Sequence, residues 1–392
     1  MTLVGRDCCR IQPPPDPDDR DWLQRLATAV RAEDHLLTFD DARDDADEVV
    51  YCERDGSWFC GRYVGTIAFE ERRLTIEPRF GLATLAHWLE IALDLRFTDT
   101  AGEVAPHEAF LPQLLARLWG NAIVRAARHG LPGLRVEVQH HGLVARGRLD
   151  VRRTIHERVR GRPGLVSLHR ERSLDNTIAH TIVAAGAALT RRLGAVAMRR
   201  LLPERARDVL LALGNVNAEK RIPEPAEVAT IRYTPITAGY RGLVRLSMTI
   251  ARNQGLLAES SPDGKASGIL VDVAEIWELY VLECLRRAYP TAKVLHGTRE
   301  LDGAGHLLHN AAGEKLGRLL PDAVVTTAAE TFVADAKYKS LHPTATHPAG
   351  PAREDLYQMR AYLSHWSSAR FGMLAYPIEP DGTTPPVLAK AP

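Results

Sequence analysis

The sequence predicts a multi-domain α/β protein whose last third folds as a mixed sheet flanked by helices, preceded by a small antiparallel β unit and a mainly helical middle region. Three observations predict it. At 392 residues the chain exceeds one ordinary domain. Residues 48–77 alternate apolar and polar side chains in short runs, whereas much of 108–252 carries apolar residues at helical spacing. After residue 259 the order becomes helix, three strands, helix, strand, which suits an α/β core of one domain's size.

Composition narrows the class. With 45% hydrophobic and 25% charged residues the chain lies near globular averages, which excludes wholesale disorder and a fibrous protein. No apolar run approaches the roughly 18 residues that span a bilayer, and the opening residues hold no signal-peptide core, so the expectation is a cytoplasmic protein without a membrane partner. Five cysteines (Cys8, Cys9, Cys52, Cys60, Cys284) form no CxxC pair and read as reduced packing residues. Net charge is +1 but unevenly spread: residues 117–221 hold 21 Lys plus Arg against 8 Asp plus Glu, whereas 33–48 is acidic. The basic stretch suits either phosphate contact or solvated helix faces.

Along the chain, the Pro- and Asp-rich 12–21 predicts an irregular lead-in to a short helix from Trp22 to about Ala32. Runs at Val49-Val50-Tyr51, Trp58-Phe59-Cys60, Val64-Gly65-Thr66-Ile67 and Leu74-Thr75-Ile76, broken by Asp55-Gly56 and Glu70-Glu71, predict hairpins. Helices follow over about 82–93 and 108–129, the second stopped by Gly130 and Pro132. Further helices are expected over 174–193, 204–213 and 239–252, with a junction at Pro203. The loop-forming Glu259 to Gly264 marks the last boundary, dividing the chain into 1–110, 111–258 and 259–392. Beyond it come a helix over 273–289, strands near Lys293, Leu316 and Phe332, a helix over 353–367 and a strand over 371–376.

The residues that carry chemistry lie in this last part. Asp322 follows Pro321, and Asp335 and Lys337 sit two apart near the end of the next strand, so their side chains leave one face and can share a site with Asp322 across the ladder. Two anions and one amine are what phosphodiester cleavage asks for, because the attacked group is already anionic and needs both charge neutralisation and an activated water. Hard oxygen ligands such as Asp322 and Asp335 suit Mg²⁺, with Mn²⁺ as a substitute, and Lys337 can orient the attacking water. Glu278 falls on the helical wheel among Val281, Leu282 and Leu285, against the core, where a carboxylate needs a metal or a cation. Gln358 and Tyr362 lie four apart on one helix face. Asp272 and Glu275 have the spacing of a capping box and are taken as structural. His140, His141, His306, His309, His342 and His347 form no ligand set and read as surface residues.

The spacing PD-x(12)-DAK resembles the signature of the PD-(D/E)xK nuclease superfamily, and QMRAY resembles the QxxxY element of RecB-like nucleases. After about residue 48 the chain resembles the McrC subunits of McrBC-type modification-dependent restriction systems. The likeness rests on VGTIAFEERRLTIEPRFG (64–81), ARGRLDVRRTI (145–155), SLDNTIAHTIVAA (173–185), VDVAEIWELYVLECL (271–285), LLPDAVV (319–325), VADAKYKSL (333–341) and DLYQMRAYL (355–363). That resemblance implies a DNA endonuclease with Asp322, Asp335 and Lys337 as the catalytic triad, Glu278 supporting the metal, and a hexameric AAA+ McrB-like NTPase as partner. The absence of a GxxxxGK[ST] phosphate loop agrees with a chain that borrows its motor. The region 1–110 is then the candidate partner-docking domain, and 259–392 the endonuclease. The rival readings are a stand-alone RecB-like nuclease and a non-cleaving assembly protein with a vestigial nuclease fold.

Overall fold

A computed structural model describes residues 2–30, 36–37, 48–93, 107–214, 216, 221–252, 266–297, 300, 305–339 and 350–378. The acidic run at 33–47, the boundary loop at 259–264, His342 and His347 fall outside the described residues. Three consecutive domains were expected; the chain forms two compact units, one from 1–107 together with 255–392, the other from 108–254. The first and last thirds share one unit because a strand from the last third completes the sheet of the first.

That sheet begins with β1 (Thr2–Arg6), followed by helix α1 (Pro17–Ala29) and the two-residue β2 (Leu36–Leu37). The helix starts five residues before the expected Trp22, because the Asp16 side chain accepts the Asp19 N–H at 2.7 Å and Pro17 occupies the first turn. The expected hairpins form as β3 (Val50–Cys52) with β4 (Trp58–Cys60), and β5 (Tyr63–Phe69) with β6 (Arg72–Glu77). Strand β10 (Ser267–Asp272), which the apolar pattern did not announce, pairs antiparallel with β5 and gives the order β1-β6-β5-β10-β2. Gly65 and Gly268 permit that pairing. Both have positive φ, and a Cβ on either would lie 2.2 Å from a carbonyl oxygen of the opposite strand. Trp22, Leu23, Leu26, Ile67, Leu74, Ile76 and Leu270 form the core of this layer, and the Trp22 indole donates to the Phe69 carbonyl at 3.1 Å.

Helix α2 (Leu82–Leu93) follows, and its Trp88 ring lies 4.9 Å from that of Trp277. The second sheet of this unit has the order β11-β14-β15-β16, from Lys293–His296, Ala323–Thr326, Thr331–Ala336 and Ala369–Ala375. The first three strands are antiparallel neighbours and the last pair is parallel, so the sheet is mixed as expected. One strand differs: the segment near Leu316 forms β13 (Lys315–Leu319), which pairs only with β12 (Gly305–His309) in a separate hairpin. The sheet takes the next segment, Ala323–Thr326, because its residues 323–325 are apolar on both faces and can be buried. The long helix Val273–Ala288 packs on β11 and β15, and the helix Arg353–His365 on β15 and β16.

The other unit is mainly helical, as expected, but it also carries a sheet that the helical spacing did not announce. Helix α3 (His107–Ala126) leads into a three-stranded sheet in which β7 (Leu134–Gly142) and β9 (Leu165–Ser173) pair over nine residues and β8 (Arg148–Leu149) flanks β9. The strand was legible in Leu134, Val136 and Val138 alternating with Arg135, Glu137 and Gln139, but helical spacing on both sides masked it. Helix α4 (Val151–Val159) lies between β8 and β9, and α5 (Thr177–Leu193), α6 (Ala195–Leu201), α7 (Glu204–Ala212), α8 (Pro225–Ala229) and α9 (Tyr240–Arg252) complete the unit. Helices α5 and α9 pack together, and Trp119 reaches Ser247 Oγ at 2.9 Å. Among the described residues no single helix is long and apolar enough to cross a membrane. In chain order the helix Val273–Ala288 of the first unit is α10, and Arg353–His365 is α11.

Candidate active site

The antiparallel register of β14 and β15 sets the site, since Ala323 pairs with Ala334 and so brings Asp322 alongside Asp335. Asp322 Oδ2 accepts the Ala336 N–H at 2.6 Å. Asp335 is 2% exposed. Lys337 Nζ lies 2.6 Å from Asp335 Oδ2 as an ion pair, although that oxygen receives no well-directed hydrogen bond. The amine is held from the other side as well: it donates to Gln358 Oε1 at 2.7 Å, Gln358 Nε2 donates to the Tyr362 hydroxyl at 2.7 Å, and that hydroxyl donates to the Leu320 carbonyl at 3.0 Å. The four-residue spacing of Gln358 and Tyr362 on α11 therefore becomes a relay from the Leu320 backbone to Lys337.

Electrostatics concentrate on Asp322. Burial pushes its carboxyl well above the ordinary range, and the neighbouring charges of Glu278 and Asp335 add to the effect against the Ala336 hydrogen bond and Lys337. Asp335 is also raised, by burial, with Lys337 opposing. Burial together with the Asp335 and Asp322 charges likewise raises the Tyr362 phenol.

Glu278 is half-buried, at the edge of the buried face formed by Val281, Leu282 and Leu285 rather than within it. Its helix is fixed beside the site through Ala375, whose carbonyl accepts the Trp277 indole at 3.1 Å and the Lys337 backbone N–H at 2.7 Å. Asp272 caps that helix through the Ala274 and Glu275 N–H groups, as the sequence suggested, and pairs with Arg62 at 3.1 Å. His141 and His309 are exposed, His140 and His306 half-buried. None of the five cysteines forms a disulfide; burial pushes the thiols of Cys8 and Cys60 up to about 12.

Among the described residues no three His, Cys, Asp or Glu side chains converge as a ready metal cage. The oxygens able to hold a hard cation are those of Asp322 and Asp335, with Glu278 near enough for its charge to act on Asp322. Two carboxylates fit Mg²⁺, which keeps several of its waters. Two features escaped the sequence reading. Asp355, 2% exposed, pairs with Lys339 at 2.7 Å and accepts the Tyr376 hydroxyl at 2.7 Å. Its spacing of three and seven residues before Gln358 and Tyr362 was the available signal. Asp7, fully buried, accepts the Tyr338 hydroxyl at 2.7 Å and the Arg79 N–H at 2.6 Å.

Comparison with known proteins shows the family. No curated protein sequence gives a significant match. Two solved assemblies of Thermococcus gammatolerans do. A refined half-complex from the tetradecameric assembly of McrB AAA+ hexamers with bound McrC is 19% identical with a TM-score of 0.50, covering 96% of this chain and 87% of that one. The McrBC complex of the same organism is 19% identical with a TM-score of 0.40, covering 73% and 87%. The model of the McrBC 5-methylcytosine restriction system component family matches residues 60–377. That span takes in strands β5, β6 and β10 of the five-stranded sheet, the whole four-stranded sheet, the second unit and every residue of the site, and by it the chain belongs to the McrBC 5-methylcytosine restriction system component family, as a McrC-like subunit.

Proposed function

We propose that the chain is a Mg²⁺-dependent DNA endonuclease of the PD-(D/E)xK type, the cutting subunit of a modification-dependent restriction system. The observation that carries this reading is the pair of carboxyls, buried Asp335 and half-buried Asp322, beside an ammonium fixed from two sides. Asp322, Asp335 and Glu278 would hold Mg²⁺, for which Mn²⁺ can substitute, and the ion supplies charge neutralisation at the phosphate together with an acidified water. The chain's own residues do the rest. Lys337 donates one N–H to Gln358 and pairs by charge with Asp335, which leaves donor capacity on the ammonium to hold the attacking water and to balance charge as the P–O bond breaks. Gln358 and Tyr362 keep the amine in place.

The proposed partner is a hexameric AAA+ McrB-like NTPase. The Thermococcus McrC is bound to such hexamers, and this sequence has no phosphate loop of its own. The docking surface is better sought on the second unit than on the region 1–110. Strand β5 of that region is buried on both faces, whereas α4 exposes Val151, Ile155 and Val159 in one stripe, with Leu143 and Val144 exposed on the preceding turn. Exposed apolar side chains in such number, set among exposed Arg152, Arg158 and Arg160, suit a protein partner.

The test is cleavage of 5-methylcytosine-containing and unmodified DNA, with Mg²⁺ or EDTA, with and without a McrB-like AAA+ NTPase. Cleavage that needs Mg²⁺ and the NTPase supports the reading. Cutting by the chain alone at full rate would favour the stand-alone nuclease, and no cutting under any condition the non-cleaving assembly protein.

A further inference from the structure

Asp335, Lys337 and Lys339 alternate along the chain at and beyond the end of β15, and on α11 Asp355, Gln358 and Tyr362 recur on one face. The two rows are joined twice: Lys337 Nζ to Gln358 Oε1 and Lys339 Nζ to Asp355 Oδ1, each at 2.7 Å. The proposed chemistry uses only the first of these links. The second has an unequal character, since the Asp355 side chain is 3% exposed while that of Lys339 is 46% exposed.

An ordinary surface ion pair leaves both partners mobile in water and contributes little. Here the carboxylate is locked, its second oxygen accepting the Tyr376 hydroxyl at 2.7 Å, so the solvent-facing ammonium is fixed in position. Asp355 needs one N–H of Lys339, and two donors remain for an outside anion. The ammonium also lies near the reacting centre, because Lys339 follows Lys337 by two residues and its partner Asp355 sits one helical turn before Gln358, the partner of Lys337, so a neighbouring phosphate of a bound strand is within reach.

We infer that Lys339, held by Asp355 and Tyr376, binds a DNA backbone phosphate adjacent to the one being cut. This role rests on the nuclease reading above. It makes Lys339 a phosphate contact that adds affinity uniformly across sequences, and makes Asp355 and Tyr376 positioning residues that act through it.

The experiment uses the full chain carrying Asp335→Asn, so that DNA is bound without being cut, and a short fluorescent DNA duplex whose affinity is measured by anisotropy over a series of salt concentrations. Adding Lys339→Ala is expected to reduce the slope of log K against log salt by about one, and Lys339→Arg to restore it. Tyr376→Phe, which loosens Asp355 but removes no charge, is expected to keep the slope. An unchanged slope in Lys339→Ala, an equal loss in Tyr376→Phe, or no DNA binding by the Asp335→Asn parent overturns the inference. Mg²⁺-dependent cleavage by the wild type is scored separately. A slope change without any cleavage would retain Lys339 as a DNA contact and remove the nuclease reading.

Discussion

Asp322 accepts the backbone N–H of Ala336 at 2.6 Å, the peptide that lies between Asp335 and Lys337. A carboxylate preceding one strand is thereby tied to the end of the next, and the spacing of the two acids is set by backbone rather than by flexible side chains. A site held in this way tolerates the loss of a charge without losing its shape.

Asp335→Asn is therefore expected to lower the cleavage rate by roughly 10³-fold, the scale of removing one preorganised electrostatic group. The melting temperature should stay the same or rise, since a buried carboxyl becomes a neutral amide of similar volume. Rate assays and thermal unfolding measure the two effects; a mutant that cuts normally removes Asp335 from the site.

Lys337→Ala should abolish cutting while still raising the NTP turnover of the AAA+ partner, because residue 337 and the exposed stripe of α4 belong to different compact units. NTP hydrolysis and co-elution with the ring are the readouts, and a folded Lys337→Ala chain that fails to stimulate contradicts the division of labour. A truncation near residue 258 cannot replace this mutant, since it deletes β10 from the sheet it shares with β5.

Gln358→Ala frees the Lys337 amine from its second holder and is expected to lower kcat by about 10–100-fold, with a smaller effect on KM. Gln358→Glu keeps an acceptor for Lys337 and should retain more activity than the alanine variant. Equal loss in both would indicate that Gln358 acts through something other than the amine.

Glu278→Gln is expected to raise the Mg²⁺ concentration for half-maximal cutting by about tenfold, because one anion beside Asp322 disappears. A metal titration decides it. An unchanged midpoint would assign Glu278 to the helix surface alone.

Asp7 offers a test of pH linkage away from the reacting groups. Burial raises its carboxyl above the ordinary range despite the hydrogen bonds from Tyr338 and Arg79. The folded state thus holds the proton more tightly than the unfolded chain, and the stability this contributes is full below about pH 3.8 and lost as pH rises through the raised value. Asp7→Asn does not titrate, so its melting temperature relative to wild type should be higher at pH 7 than at pH 4. A difference that is flat or falls with pH contradicts the shift.

The sequence by itself determined the local elements and the residues proposed to react. The alternation at 49–76 specified two hairpins, the helical spacing over 273–289 and 353–367 specified the two helices beside the candidate site to within two residues, and two-residue and four-residue spacings put Asp335 with Lys337 and Gln358 with Tyr362. These are properties of a few adjacent residues, and backbone geometry reads them directly.

Only the tertiary structure decided what meets across long stretches of chain. It joined β10 to β5 through Gly65 and Gly268, took Ala323–Thr326 rather than the segment near Leu316 into the mixed sheet, and made one unit from the two ends of the chain. It also brought Lys339 to Asp355 and Tyr376, and Tyr338 to Asp7. Such pairings depend on which buried polar groups find partners and which close approaches a missing Cβ permits. Neither leaves a periodic trace in sequence, because the partners are separated by loops whose length the pairing energy hardly senses.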